Sequence, residues 1–143
     1  MTEVHLVTGI ALLVTNLVAG VWGSVAWFRG HPSVGFWYSL RIAQAFVVIQ
    51  LMLGLVLVFN GKVAVDLHYL YGGLPLLISL LAETVRAGAA EQEIGEIDYR
   101  AMPEEQQREI ALAIVRREMG IMAVGSLVIF GLALRAAGTT PLF

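Results

Sequence analysis

The sequence contains no cysteine, and only 14% of its 143 residues are charged. The absence of cysteine excludes disulfide bonds, thiolate metal sites and thiol redox chemistry. The low charge content, together with a hydrophobic content of 58%, excludes an ordinary soluble domain. Histidine is also scarce, with three residues in the whole chain. We therefore expect one integral membrane domain that covers residues 1–143.

Four apolar segments are long enough to cross a bilayer, because a hydrocarbon core of about 30 Å needs about 20 helical residues. They cover residues 4–27, 36–59, 65–85 and 119–137. The segments lack the alternation of polar residues that membrane barrels show. The predicted fold class is therefore all-α, a four-helix transmembrane bundle. Residues 87–118 form the predicted cytoplasmic connection, in which Pro103 starts an interfacial helix that joins the last span after Arg117.

The basic residues are divided unequally between the two sides of such a bundle. One side holds only Lys62 and Arg135, and the other side holds the remaining seven basic residues: Arg29, Arg41, Arg86, Arg100, Arg108, Arg116 and Arg117. Cytoplasmic loops carry an excess of Lys and Arg, so the arginine-rich side is predicted to be cytoplasmic. We expect a multi-pass protein of the cell's inner (plasma) membrane with both termini extracytoplasmic.

A short pattern occurs twice, each time at the start of an apolar segment. Residues 3–9 are Glu-Val-His-Leu-Val-Thr-Gly, and residues 66–72 are Asp-Leu-His-Tyr-Leu-Tyr-Gly. The second and fourth segments also end alike, with Gly-Leu-x-Leu-x-x-x-Gly beginning at Gly54 and Gly131. These repeats predict a duplicated two-helix hairpin with a pseudo-twofold axis along the membrane normal.

The repeated pattern places His5 and His68 at the same depth, about one turn inside the outer ends of spans 1 and 3. These spans are diagonal in a four-helix bundle, so we expect the two rings to face each other across its interior. Two imidazoles on opposite sides of a macrocycle bind the iron of a haem, and we expect one haem b here. Gly9 and Gly72 lie one turn further on the same helix faces and would leave room for the ring. Tyr69 and Tyr71 are the expected partners of the haem propionates.

Two other interpretations of the histidines stay open at this point. Copper or zinc would need further ligands, for which Met1, Glu3, Asp66 or water are near. Alternatively, the histidines contact lipid headgroups and the glycines only pack helices. The chain would then be a cofactor-free accessory or scaffold subunit of a membrane complex. The third histidine, His31, lies in a Gly-His-Pro turn and is expected to be a solvated loop residue.

Part of the chain resembles a known family. The run Gln-Leu-Met-Leu-Gly-Leu from Gln50 to Leu55, followed by Leu67, His68 and a small residue at position 72, is similar to the end of one four-helix half of heme A synthase. In that family a Gln-x-x-Leu-Gly helix precedes a helix with a haem-ligating histidine, which pairs with a histidine two helices earlier. The resemblance therefore implies that His68 pairs with His5. It covers only spans 2 and 3, and it does not extend to the family's Glu-x-x-His-Arg type motif. More broadly, the chain resembles bis-histidine b-type cytochromes of membranes.

A second group of polar residues lies toward the cytoplasmic side. Arg41 and Glu83 are at nearly equal depth, so we expect an ion pair that clamps helices 2 and 3 together. A different interpretation is a quinone head group bound near Arg41, Gln44 and Trp37. Asn16 and Gln50 lie deeper and are expected to form hydrogen bonds between helices.

Two membrane histidines allow one bis-histidine haem. The predicted role is that of a cytochrome b, in electron transfer or haem handling near the extracytoplasmic face. The expected partners are the lipid bilayer and, as hypotheses, a quinone, other redox subunits of a respiratory assembly or a second copy of the chain. Nothing in the sequence predicts nucleic acid binding or identifies an enzymatic reaction.

Overall fold

The computed structural model of the chain describes residues 2–95 and 97–139. Within these residues there is no strand, and one short 3-10 helix, Tyr99–Ala101, accompanies four long helices: α1 (Thr2–Arg29), α2 (Val34–Phe59), α3 (Asp66–Ile94) and α4 (Glu104–Ala137). All four long helices are long and apolar enough to cross a membrane. The predicted all-α, four-helix fold is therefore confirmed, and the protein is a multi-pass membrane protein.

Short turns join the first three helices and make sequential helices antiparallel. Gly30 and Gly61 occupy these turns with φ angles of 67° and 74°, a left-handed backbone that glycine adopts without steric penalty. Ser33 then begins α2, because its hydroxyl oxygen accepts a hydrogen bond from the backbone N–H of Phe36 at 3.2 Å. We call the end of the bundle where α1 and α3 begin the histidine end, after His5 and His68, and the opposite end the arginine end.

The connection between α3 and α4 is much shorter than predicted. α3 continues to Ile94 and α4 begins at Glu104, so the connection predicted for residues 87–118 is reduced to residues 95–103. The expected interfacial helix after Pro103 is also not separate, because α4 continues without a break through Arg117. The physical reason is that no glycine or proline lies between residues 104 and 119. In addition, Arg86 pairs with Glu118 at 3.7 Å, which holds the polar extensions of α3 and α4 together.

The four helices form an incomplete ring. α4 packs along both α1 and α3, and α1 packs along α2, but α2 and α3 contact each other over only a short length. α1 and α3 are therefore diagonal, as predicted. An exact pseudo-twofold axis would make the contact of α2 with α3 equal to that of α1 with α4. The structure departs from this symmetry and leaves a gap between α2 and α3.

Packing density differs between the two ends of the bundle. Phe36, Leu40, Met119 and Met122 form a fully buried cluster toward the arginine end. A smaller cluster of Leu12, Val47 and Ile129 lies nearer the middle. Beyond Val47, α2 has no buried residue, and all of α2 is described. The histidine end is consequently the more open half of the bundle.

Candidate functional site

The structure brings His5 and His68 together from diagonal helices. Their ring centroids are 6.2 Å apart and the ring planes are inclined by 58°. Both side chains are partly buried inside the bundle and do not point into lipid. The two imidazoles are therefore close enough to act on one common ligand.

The orientation of His68 is fixed from α4. Its Nδ1 lies 3.2 Å from the carbonyl oxygen of Ala136, so Nδ1–H donates to that oxygen. The hydroxyl of Thr139, which donates to the same carbonyl at 2.6 Å, lies 3.4 Å from this nitrogen. With the proton on Nδ1, the lone pair is on Nε2, which has no hydrogen-bond partner among residues 2–95 and 97–139. A backbone carbonyl that holds the second ring nitrogen is the usual outer partner of a metal-ligating histidine.

Gln50 of α2 determines the tautomer of the His5 ring. Its amide Nε2 donates to the His5 carbonyl at 3.0 Å and lies 3.2 Å from His5 Nε2. The hydroxyl of Thr8 donates to the side-chain oxygen Oε1 of Gln50, which fixes the orientation of the amide. His5 Nε2 therefore accepts a hydrogen bond, and Nδ1 carries the proton. In the described part of the chain, Nδ1 is buried without a partner. Such a group costs about 1–3 kcal/mol, so the site contains an unused polar atom that a ligand would satisfy.

The glycines around the site have different roles. A Cβ added at Gly54 would lie 3.5 Å from His5 Cε1, so this glycine of α2 is next to the ring. At Gly9 a Cβ would lie 3.0 Å from Gln50 Nε2, so Gly9 admits the Gln50 amide and does not itself line a ligand space. At Gly72 and at the glycine that follows it, no atom lies within 4 Å of an added Cβ. A side chain at either of these two positions of α3 would therefore extend into open space.

The two tyrosines expected at the propionates already have protein partners. The Tyr69 hydroxyl accepts a hydrogen bond from the backbone N–H of Ala64 at 2.9 Å and so holds the α2–α3 turn. Tyr71 lies under the guanidinium of Arg135, whose Cζ is 5.8 Å from the ring centroid. Arg135 is a residue that the sequence argument did not include in the site. Arg135 could have been identified from the sequence because it is one of only two basic residues predicted at that end. It also directly precedes Ala136.

The spacing of the two histidine rings is compatible with a metal between them that brings its own equatorial ligands. Metal–imidazole bonds are about 2.0–2.1 Å, which puts the centroids of two rings on opposite sides of one metal roughly 6 Å apart. The observed 6.2 Å agrees with this spacing. The inclination of 58° is compatible as well, because each ring can turn about its own metal–nitrogen bond. Haem iron, with four macrocycle nitrogens, needs only these two protein ligands.

The site suits a copper or zinc ion without a macrocycle less well, because such an ion needs further protein ligands. Within residues 2–95 and 97–139 no group of three or more His, Asp or Glu side chains could hold a metal ion. Glu3 and Asp66 are exposed at the starts of α1 and α3, where a negative charge suits the helix dipole. Met1 lies outside the described residues.

The second predicted group of polar residues also comes together. Arg41 Nη1 contacts Glu83 Oε1, and the Gln44 amide donates to the same oxygen at 2.8 Å. The other carboxylate oxygen accepts from Arg86 Nε at 2.8 Å. Arg86, which was not predicted to take part, also lies 5.8 Å from the centroid of the Trp37 ring. The polar groups of Arg41, Gln44 and Glu83 are thus engaged with one another, which favours a clamp between α2 and α3 over a quinone site.

The deeper polar residues do not join the histidine site to this clamp. Asn16, Gln44, Ser79 and Ser126 line a cavity of about 10 Å³, which is close to the space of one water molecule. The Asn16 amide donates to the carbonyl of Leu12 in its own helix at 2.9 Å. We had expected a hydrogen bond between helices here, and this bond is not one. The apolar cluster that contains Leu12 lies between the cavity and the histidines. Gln50, in contrast, does join α2 to α1.

No protein-family model matches the chain, and no curated protein or solved structure is significantly similar to it. The functional argument consequently rests on the residues of the chain itself and on the geometry described above.

Proposed function

We propose that the protein binds one haem b through His5 and His68 and serves in electron transfer or haem handling. The site is at the histidine end, which the positive-inside rule assigns to the extracytoplasmic side. The observation that carries the proposal is the approach of two imidazoles from diagonal helices to a centroid distance of 6.2 Å. When bound, the haem iron supplies one-electron chemistry.

The protonation state of His68 supports ligation, whereas His5 would first have to turn its ring. His68 directs its proton to the Ala136 carbonyl and keeps Nε2 available. In the present orientation of His5 the unused nitrogen is Nδ1. A half turn about the Cβ–Cγ bond would release Nε2 from Gln50, while the amide keeps its bond to the His5 carbonyl. After this half turn, with the proton still on Nδ1, the Nε2 lone pair of each ring is left for a metal.

The surroundings offer space and charge of the required kind. The open space at Gly72 and the gap between α2 and α3 give a flat ligand access from the membrane interior. Arg135, whose guanidinium lies over the Tyr71 ring, supplies a cation at the histidine end of the bundle. A guanidinium in this position suits the negatively charged propionates of a haem.

The resemblance to heme A synthase adds support. The Gln and the Gly of its Gln-x-x-Leu-Gly helix correspond here to Gln50, which contacts His5, and to Gly54, where an added Cβ would lie 3.5 Å from the His5 ring. Contacts of this kind would hold His5 in position as a haem ligand, which supports the proposed role.

The proposal is tested by purifying the protein from cells supplied with ample haem. We expect a Soret band, one haem per chain by pyridine haemochrome, and the sharp visible bands of a low-spin iron after reduction. His5→Ala and His68→Ala should each remove this spectrum, whereas His31→Ala, in the α1–α2 turn, should retain it. Circular dichroism of all three variants checks that helix content is unchanged. Colourless wild-type protein, or a full spectrum in both site variants, contradicts the proposal.

The gap between α2 and α3 also favours a second candidate function. A helix of another membrane protein would fill it and cover apolar side chains that are exposed in the single chain. The protein would then be a cofactor-free accessory or scaffold subunit of a membrane complex. A colourless preparation that contains a stoichiometric membrane partner would favour this function over haem binding.

A further inference from the structure

The cavity of about 10 Å³ in the middle of the bundle is lined by residues from all four helices, among them Asn16, Gln44, Ser79, Met122 and Ser126. Asn16 lies halfway along α1, about 20 Å from either end of that helix. The cavity is therefore located deep in the membrane. At this depth neither bulk water nor lipid head groups can form hydrogen bonds with its polar side chains.

The hydroxyl groups of Ser79 and Ser126 differ from others inside the helices. Both residues are buried, with exposed fractions of 8% and 2%. Neither hydroxyl makes a hydrogen bond with any residue that the structure describes. Elsewhere in the described helices, hydroxyls typically donate to a carbonyl oxygen three or four residues earlier, as do those of Thr8, Thr15, Ser24, Ser39 and Thr84. Two hydroxyl hydrogens at one cavity thus have no protein acceptor.

The two amides at the cavity already bind protein groups in part. Asn16, which is 2% exposed, donates from Nδ2 to the Leu12 carbonyl at 2.9 Å. Its Oδ1 accepts no hydrogen bond from the described residues and is left as an acceptor. Gln44 donates from Nε2 to Glu83 at 2.8 Å and accepts from Arg41 at 2.6 Å. The cavity therefore offers two hydroxyl donors and one amide acceptor, and Gln44 connects it to the clamp.

These groups determine the chemistry of an occupant, which must accept hydrogen bonds from two hydroxyls, donate one to an amide oxygen and fit the small volume. A sodium ion could bind the oxygen lone pairs, but it would leave both hydroxyl hydrogens unpaired. The guanidinium of Arg41, bound to Gln44, also opposes a further positive charge. Chloride could accept from the hydroxyls but could not bind the amide oxygen. Water is both donor and acceptor, and a buried water typically makes about three hydrogen bonds.

We propose that this cavity is a specific binding site for one water molecule. The water accepts from Ser79 and Ser126 and donates to Asn16 Oδ1, and so links α1, α3 and α4 in the middle of the membrane. It takes the place of the direct hydrogen bonds by which polar side chains join transmembrane helices. Through Gln44 the network of polar groups continues to Glu83 and thus to the contact between α2 and α3.

X-ray radiolytic labelling of the full-length protein in nanodiscs tests the site, because a bound water yields hydroxyl radicals that oxidise the side chains next to it. Met122 lines the cavity, whereas Met119, one turn earlier on α4, does not, although both methionines are buried. We expect Met122 to be oxidised at short exposures and Met119 to stay unmodified, as measured by mass spectrometry of the peptides. Equal protection or equal oxidation of the two methionines in the wild-type protein would overturn the proposal.

Variants of the lining residues assign the labelling to the proposed hydrogen bonds. In Asn16→Leu, and in the double variant Ser79→Ala/Ser126→Ala, oxidation of Met122 should fall to the level of Met119, because apolar cavities stay dry. Ser24→Ala removes a hydroxyl that already donates to a carbonyl of its own helix, and it should leave the labelling unchanged.

Circular dichroism checks that the variants fold, and the comparison of the two methionines in the wild-type protein does not depend on them. Full Met122 oxidation in folded Asn16→Leu and in the folded double variant would contradict the proposal. So would Met122 oxidation that increases when sodium is replaced by choline, since it would indicate a bound cation. None of these measurements requires haem, so their outcome is independent of the proposed function.

Discussion

At Glu83 one carboxylate accepts hydrogen bonds from three side chains, those of Arg41, Gln44 and Arg86. Gln44 and Arg41 belong to α2, and Arg86 belongs to α3 with Glu83. These bonds are located where two helices that otherwise contact each other little are held together. Glu83 therefore contributes much of the interaction that holds α2 and α3 together.

We expect the two partners of the Arg41–Glu83 ion pair to differ in importance. Glu83→Gln removes the charge that both arginines share, and should lower the free energy of unfolding by about 1–3 kcal/mol. Arg41→Gln should lower it by less than about 1 kcal/mol, because the Arg41 side chain is 53% exposed. Unfolding in mixed micelles with increasing SDS measures both values. An equal loss, or a larger loss for Arg41→Gln, would contradict this explanation.

A contact between two residues could be predicted from the sequence where their depth in the membrane alone determined it. Counting residues along the helices was enough to pair Arg41 with Glu83. It did not identify Arg86, which was assigned to the end of a helix, or the contact of Gln50 with His5. That contact depends on Gly9, where the missing side chain admits the amide of another helix. Such a relation between helices leaves no mark on the spacing of residues in one helix.

At the level of helices, hydropathy identified all four spans but not their lengths. The predicted ends of α1 and α2 agree with the structure within a few residues. α3 and α4 extend well beyond the apolar segments, because hydropathy marks only the part of a helix inside the membrane. The extension of α4 contains no glycine or proline, that of α3 contains only Gly88, and the two stabilise each other through Arg86 and Glu118.

Glycine positions test how closely α1 and α4 pack. At Gly20 a Cβ would lie 2.5 Å from Leu127 Cδ2 and 3.2 Å from its backbone nitrogen, so the helices must move apart in Gly20→Ala. We expect a loss of about 1–3 kcal/mol in the free energy of unfolding. Gly131→Ala on α4 is the matched control, because nothing lies within 4 Å of its added Cβ.

The control should be neutral or stabilising by up to about 1 kcal/mol, since alanine favours the helix over glycine. SDS titration and thermal melting of the two variants measure the difference. Similar stability of Gly20→Ala and Gly131→Ala would show that α1 and α4 do not depend on this close approach.

For the molecule as a whole, the duplicated sequence gives two unequal halves. The alignment that matches Gly54 with Gly131 matches Gln50 with Leu127. Gln50 contacts His5, whereas Leu127 packs on Gly20, and His68 is held by the Ala136 carbonyl instead. The repeat therefore predicted which helices face each other, but side chains that differ between the copies determine how tightly they pack.

The orientation of the whole molecule is testable because the chain has no native cysteine. Lys62→Cys lies in the α2–α3 turn and Arg100→Cys in the connection between α3 and α4. If both termini are extracytoplasmic, a membrane-impermeant maleimide should label Lys62→Cys in intact cells and Arg100→Cys only after lysis. A cytoplasmic reporter fused after Phe143 should be inactive. The reverse labelling pattern would place the histidine end in the cytoplasm.

The unequal packing of the two ends has a consequence for the order of assembly. The half of the bundle at the arginine end is packed by the buried cluster of Phe36, Leu40, Met119 and Met122. The polypeptide can therefore reach its final topology before the other half contains a ligand. Backbone amides of the looser half should then exchange with deuterium sooner than those of the dense half. A large ligand would enter laterally from the bilayer after translation, when the dense half has already formed. Its binding would slow the amide exchange of the looser half.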